Sequence, residues 1–284
     1  MKKIYIWFNS LSKRLRDSIS TSILVVGFVS TVFTILGFSL ADIKCLKLWG
    51  RILVVIAVFF IVIIVVYKVI GRVFKERVNL IVNQTPVDIT CGDIFETEGW
   101  KVIGCDTSFR TQVDDVVISK NSLHGKLVLQ HGNAEEINDI VESAAQKYNI
   151  SKNENGLFEF PLGTIIPYTS SKDGETYLML AMTELNKDFE SHTNMAKYES
   201  MLMKMWHEVS RVYASHDVVF PILGAGISRF DDGPKNKNTL LRCMLCTLGS
   251  SGLDFNSRIK VVIYGKAEDI PLYELRDVVV KTRR

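Results

Sequence analysis

Two apolar runs, at residues 22–41 and 52–70, precede about 200 residues in which apolar positions recur on the shorter periods of strands and amphipathic helices. A helix rises about 1.5 Å per residue, so the twenty uncharged residues of the first run match the roughly 30 Å apolar layer of a bilayer. The second run holds sixteen uncharged residues, Ile52 to Tyr67, with no polar face, and it spans when Lys68 extends its ammonium toward the headgroups. Only about ten residues separate the runs, which predicts a transmembrane hairpin rather than a pair of core helices. Ser39-Leu40-Ala41 has the form of a signal-peptide cleavage site, but the run before it exceeds the roughly 7–15 apolar residues of a signal peptide, so retention is expected. Lys2, Lys3, Lys13, Arg14 and Arg16 precede the first span and Lys68, Arg72, Lys75 and Arg77 follow the second, whereas the loop between holds Lys44, Lys47, Arg51 and Asp42. This asymmetry puts both termini in the cytoplasm.

Beyond the hairpin, short β-branched runs bounded by glycine predict strands at 87–90, 101–104, 116–119, 163–167, 177–183, 218–223 and 260–264. Residues 135–148 form a helical stripe through Ile137, Ile140, Val141, Ala144, Ala145 and Tyr148, and residues 194–214 a longer one through Tyr198, Met201, Leu202, Met205, Val209 and Val212. Methionines at this spacing are core filler. Strands alternating with helices predict an α/β fold, a three-layer α/β/α sandwich behind the membrane hairpin. The expected division is a hairpin over 1–78 and a cytoplasmic domain over 79–284, with 72–84 as a linker that extends the second span. About 205 residues suffice for one domain with a full core.

The formal net charge of +3 belongs largely to the membrane flanks, which points to anionic headgroups rather than nucleic acid. Five cysteines lack the even spacing of a secreted disulfide framework, in keeping with a reducing compartment. Cys243 and Cys246 form C-x-x-C within a helical stripe, and core packing is expected of them rather than zinc or redox chemistry.

Candidate chemistry lies in loops that follow strands, because open α/β sheets bind ligands at the carboxyl ends of their strands. In Thr90-Cys91-Gly92-Asp93-Ile94-Phe95 an acidic side chain behind a glycine reads either as an acceptor for an exocyclic amine or as a helix-capping aspartate. In Pro221-Ile222-Leu223-Gly224-Ala225-Gly226-Ile227-Ser228 a strand runs into Gly-Ala-Gly, which presents backbone N–H groups to an anion or makes a tight turn. Ser122 and His124, in Asn121-Ser122-Leu123-His124-Gly125, belong either to a ligand-facing loop or to a solvated turn. His131, His192, His207 and His216 show no ligand spacing.

The two glycine loops, in this order and about 130 residues apart, resemble the macro domain, an α/β/α module that binds ADP-ribose and its derivatives, over residues 83–271. The resemblance implies that Asp93, with Ile94 beside it, holds the adenine amine, and that Gly224, Ala225, Gly226 and Ile227, behind Pro221, wrap the diphosphate. Val102-Ile103-Gly104-Cys105-Asp106 falls where many members have V-N-A-A-N, which puts Asp106 near the distal ribose. The same resemblance turns Ser122 and His124 toward the second ribose. Ile103 departs from the usual asparagine, which argues against ADP-ribosyl hydrolysis. Fused to a membrane hairpin, the whole resembles the membrane-anchored macro-domain effectors of bacterial Thoeris antiphage defence. That resemblance implies a non-catalytic, homo-oligomeric inner-membrane protein without a cofactor. A TIR-domain partner would consume NAD and release an ADP-ribose conjugate, the histidine one, whose binding assembles the hairpins and breaches the lipid. The alternatives are a membrane-tethered ADP-ribosyl hydrolase using Asp106 or His124, and an anchored scaffold whose glycine loops are only turns.

Overall fold

The computed structural model describes residues 8, 11–35, 48–73, 77–185, 191–226, 229–265, 270 and 272–275. The chain divides into two compact units, Met1–Glu76 with Leu272–Glu274, and Arg77–Pro271 with Leu275–Arg284.

In the first unit, α1 (Lys13–Ile35) and α2 (Leu48–Val73) contain the segments Arg14–Thr34 and Ile52–Val73, both long and apolar enough to cross a membrane. Helix α1 starts well ahead of the apolar run, because residues 13–21 contain neither glycine nor proline to stop it. The rest of the expected first span, residues 36–41, and the loop cations Lys44 and Lys47 lie outside the described residues. Leu24 and Phe28 are each more than 70% exposed, at 73% and 72%, so the apolar surface is turned outward as a lipid-facing helix requires. Arg14 stacks 3.8 Å over the Tyr67 ring, and its Nε donates to the Tyr67 carbonyl at 3.0 Å. Gly71 makes room for that guanidinium: a Cβ there would lie 1.7 Å from Arg14 Nη2. One and two turns on, Ser18 and Ser22 are fully buried, and their hydroxyls donate to carbonyls four residues back. Small side chains at the contact let the helices approach closely.

The second unit is built on a mixed sheet. Its strands are β1 (Arg77–Val82), β2 (Thr85–Cys91), β3 (Trp100–Asp106), β4 (Ile165–Thr169), β5 (Thr176–Leu185), β6 (Ser191–Thr193), β7 (Val218–Pro221), β8 (Arg229–Phe230) and β9 (Ile259–Ile263). Their order is β1-β2-β9-β7-β3-β5-β6-β8, with β4 antiparallel along the first half of β5. The five central strands, β2, β9, β7, β3 and β5, are mutually parallel, so all of them end at one edge. Between the strands lie α3 (Leu123–Lys126), which runs into a π turn at Leu127–His131, α4 (Ala134–Lys147), α5 (Met195–Val212) and α6 (Lys237–Ser250).

Alternation along each strand sends side chains to two faces. On one, Ile103, Cys105, Met179, Ala181, Val219 and Val262 pack with Ile137, Val141 and Ala145 of α4. On the other, Phe220 meets Trp206 of α5 at 4.9 Å between ring centroids, and the Trp206 indole N–H donates to Thr247 of α6 at 3.1 Å. Helices on both faces make the α/β/α sandwich expected from the strand and helix pattern.

Three local expectations are corrected. Residues 77–82 are strand rather than linker, with Val78, Leu80 and Val82 buried and the residues between them exposed. Residues 116–119 form no strand, because Asp114 Oδ1 accepts from the N–H groups of Val116 and Val117, at 2.9 and 2.8 Å. Cys243 is half-buried and Cys246 exposed, both off the buried stripe of α6. Burial, with the Glu199 carboxylate beside it, pushes the Cys243 thiol up to about 12, which leaves it protonated and poor as a nucleophile.

Candidate functional site

The carboxyl edge of the parallel strands collects most of the residues singled out in the sequence. Gly92 and Asp93 follow β2, Tyr264 follows β9, Ile222 to Gly226 follow β7, Asp106 ends β3, and Glu184 and Leu185 end β5. Neighbouring strands lie about 4.8 Å apart, so the Asp93 loop and Asp106, three strands apart, are separated laterally by about 14 Å. Tyr264 follows β9 and the glycine loop follows β7, the two strands between them, so the order along this edge is Asp93, Tyr264, glycine loop, Asp106.

The Asp93 turn is held from within. Oδ1 of Asp93 accepts from the Phe95 N–H at 2.9 Å, and its carbonyl accepts from the Thr97 hydroxyl at 2.9 Å. Among the described residues only one oxygen of the carboxylate is engaged, which leaves Oδ2 for an incoming donor. The Ile94 side chain is buried in the core, so only its backbone is available to a ligand. In the second loop Gly224 has φ +78°, a left-handed conformation that other residues rarely adopt, and a Cβ on Gly226 would meet nothing within 4 Å among the described residues. Ile227 lies outside the described residues.

Asp106 is buried and folded into its own turn, accepting from the N–H groups of Arg110 at 3.1 Å and Ser108 at 3.3 Å, with the Arg110 guanidinium 3.5 Å from Oδ2. Beside it His124 is 6% exposed. Burial holds its imidazole below the ordinary histidine range, and the Asp106 charge opposes that only in part, so the ring is neutral at physiological pH. His124 Nε2 has no hydrogen-bond partner among the described residues. Ser122 is occupied structurally: its hydroxyl donates to the Ser119 carbonyl at 2.7 Å and accepts from the Gly125 N–H at 2.9 Å, capping α3. Ile103 is wholly buried on the α4 face and reaches no ligand.

A cleft of about 370 Å³ opens at the ends of β3 and β5, lined among others by Asp106, Ser108, Arg110, Glu159 and Glu184. It takes in Asp106 alone of the residues named from sequence. Its walls carry both signs of charge, so it suits a polar or zwitterionic group. Arg110 and Tyr264 were not singled out beforehand. Tyr264, 69% exposed, follows β9, the strand between β2 and β7, and Lys126 Nζ lies 5.5 Å from its ring centroid. An aromatic residue ending the last strand before Gly265 was the available signal.

Comparison with known proteins bears on the family and the fold. A sequence model of the family described as Thoeris protein ThsA, Macro domain matches residues 87–264. The Thoeris protein ThsA of Bacillus amyloliquefaciens (strain Y2) is 27% identical over 262 residues, covering 89% of this chain and 86% of that protein. Among solved structures, a macrodomain of Oceanobacillus iheyensis carrying an Asp-to-Ala substitution has 14% identity and a TM-score of 0.50, over 74% of this chain and 100% of that one. The same macrodomain with ADP has 15% identity and a TM-score of 0.47, over 72% and 95%.

Proposed function

This chain belongs to the macro-domain family of the Thoeris protein ThsA, and on that premise we propose that its second unit binds an ADP-ribose-derived signal whose arrival drives the membrane hairpins to assemble. The observation that carries the reading is the arrangement at one sheet edge of the Asp93 turn, the open Gly226 and the Asp106 end of β3, in the order that adenine, diphosphate and distal ribose require. The mixed-charge cleft beside Asp106 favours a conjugate with an amino-acid substituent on the ribose, and histidine-ADP-ribose is the form we favour. A TIR-domain partner that consumes NAD is the proposed source. The protein sits in the bacterial inner membrane with both termini cytoplasmic, and self-association of ligand-bound chains disrupts the bilayer. A ligand shifts such an equilibrium only by its preference for the assembled state, so bound chains must associate more tightly than free ones.

The test is a titration of the full-length protein in lipid nanodiscs with ADP-ribose and its histidine conjugate. At a concentration about 100-fold above Kd, ligand stabilises the folded state by about 2.7 kcal/mol, which raises the melting temperature of a unit this size by about 5–10 °C. The same ligand should release dye from vesicles carrying the protein. No melting shift with either compound would refute the binding reading, and a shift without dye release would refute the membrane reading alone.

A hydrolase reading has one observation in its favour, the neutral His124 beside Asp106. Its Nε2 is sealed from solvent, however, so no water reaches it in this conformation.

A further inference from the structure

We infer that Tyr198 is a positioning residue for the glycine loop: its buried hydroxyl fixes the Leu223 carbonyl and so aims the Gly224 N–H outward, ready for a diphosphate. The inference rests on the proposed reading of residues 222–226 as the diphosphate cradle. Tyr198 lies on the first turn of α5, 3% exposed, and its hydroxyl donates to the Leu223 carbonyl at 2.8 Å. That turn is itself fixed, because Asn194 caps the helix by accepting from the Lys197 N–H at 2.9 Å. Burial raises the phenol far above its ordinary range, so it stays protonated and remains a donor.

In a trans peptide the carbonyl and the following N–H point to opposite sides. Tying Leu223 O inward to α5 therefore turns the Gly224 N–H away from the core. Two rings support the chain at that point: a Cβ at Gly224 would lie 3.4 Å from the Tyr198 ring and 3.5 Å from that of Phe230. Phe230 stands edge-on to Tyr198 at 5.6 Å, on a strand held by its pairing with β6. The Ala225 N–H donates back to Ile222 O at 3.2 Å and closes the turn. A loop held this way before a guest arrives loses little freedom on binding, which is how positioning becomes affinity.

The test is Tyr198→Phe in the full-length protein in nanodiscs, titrated calorimetrically with ADP-ribose and, separately, with adenosine, which lacks the diphosphate. Losing one net hydrogen bond should weaken ADP-ribose binding by about three- to tenfold, with adenosine affinity unchanged within about twofold. Phe230→Leu, which keeps the hydroxyl but removes one ring beneath Gly224, should shift the same ratio in the same direction, and it decides the question if Tyr198→Phe fails to fold. Unchanged ADP-ribose affinity, or an equal loss for both ligands, overturns the assignment. A wild-type chain that takes adenosine but gains nothing from the diphosphate overturns the cradle reading and Tyr198's role with it.

Discussion

Gly226→Glu separates a phosphate cradle from a mere turn, because the structure isolates charge from every other effect of the change. Among the described residues a Cβ at 226 meets nothing within 4 Å, and Gly226, unlike Gly224 at φ +78°, is not in the left-handed region, so the backbone accepts a side chain without strain. Folding should be unaffected, with a melting temperature within about 1 °C of wild type. A glutamate there brings its carboxylate close to a bound diphosphate. Two unit charges about 5 Å apart repel by about 0.8 kcal/mol in water and about 3 kcal/mol at an effective dielectric constant near 20. Against two phosphate charges the penalty is about 2–7 kcal/mol, an affinity loss of roughly 30-fold or more. Gly226→Gln supplies nearly the same bulk without charge and should lose only a few-fold. Raising the salt from about 0.1 M to 1 M shortens the screening length from about 10 Å to 3 Å, and the gap between the two variants should narrow accordingly. The assay is calorimetric titration of both variants with ADP-ribose at the two salt concentrations. If Gly226→Glu binds within about threefold of wild type, no diphosphate lies near this loop.

Three further outcomes are expected. Asp93→Asn keeps an acceptor for the Phe95 N–H, so stability should hold while ADP-ribose affinity falls about tenfold through loss of a charge-assisted bond; unchanged affinity would remove Asp93 from the adenine subsite. Asp88, buried and shared between Arg77 at 3.3 Å and Arg258 at 3.0 Å, ties β1 to the start of β9. Both arginines are more than half exposed, so screening limits the loss in Asp88→Asn to about 1 kcal/mol, a fall of about 2–4 °C by scanning fluorimetry, and an unshifted melt would show the clamp to be idle. The unfolded chain protonates its histidine near 6.5 while native His124 resists, so the stability it contributes is complete above 6.5 and is lost as pH falls from there through the lowered native value. The melting temperature should drop between about pH 7 and 5, and His124→Gln should flatten that drop; Asp173 and Asp217, held below their usual 3.8, act only at more acid pH.

The central strands were legible because a parallel strand covered on both faces reads as an unbroken β-branched run, as in Val218-Val219-Phe220 and Val261-Val262-Ile263. Strand β1 was not, although Val78, Leu80 and Val82 alternate correctly, because the basic residues around it invite a linker reading. The false strand at 116–119 failed where periodicity is weakest as a guide: the Asp114 side chain takes up the Val116 and Val117 N–H groups that a sheet would need. At the site, the turns were legible because glycine announces unusual backbone, and the structure puts both of them at the same edge. What pattern could not separate was an atom already committed from one left over. Ser122 reads identically as a helix cap and as a ligand contact, and only the bonds to Ser119 and Gly125 reveal that its proton is committed and that one of its two lone pairs caps the helix. Tyr198 reads as one more apolar position in the stripe of α5, since periodicity counts the ring and ignores the hydroxyl. The residues that shape a backbone cradle are thereby hidden from sequence twice over: the ligand touches main chain, which every residue shares, and the side chains that aim it lie in the core, where they look like packing.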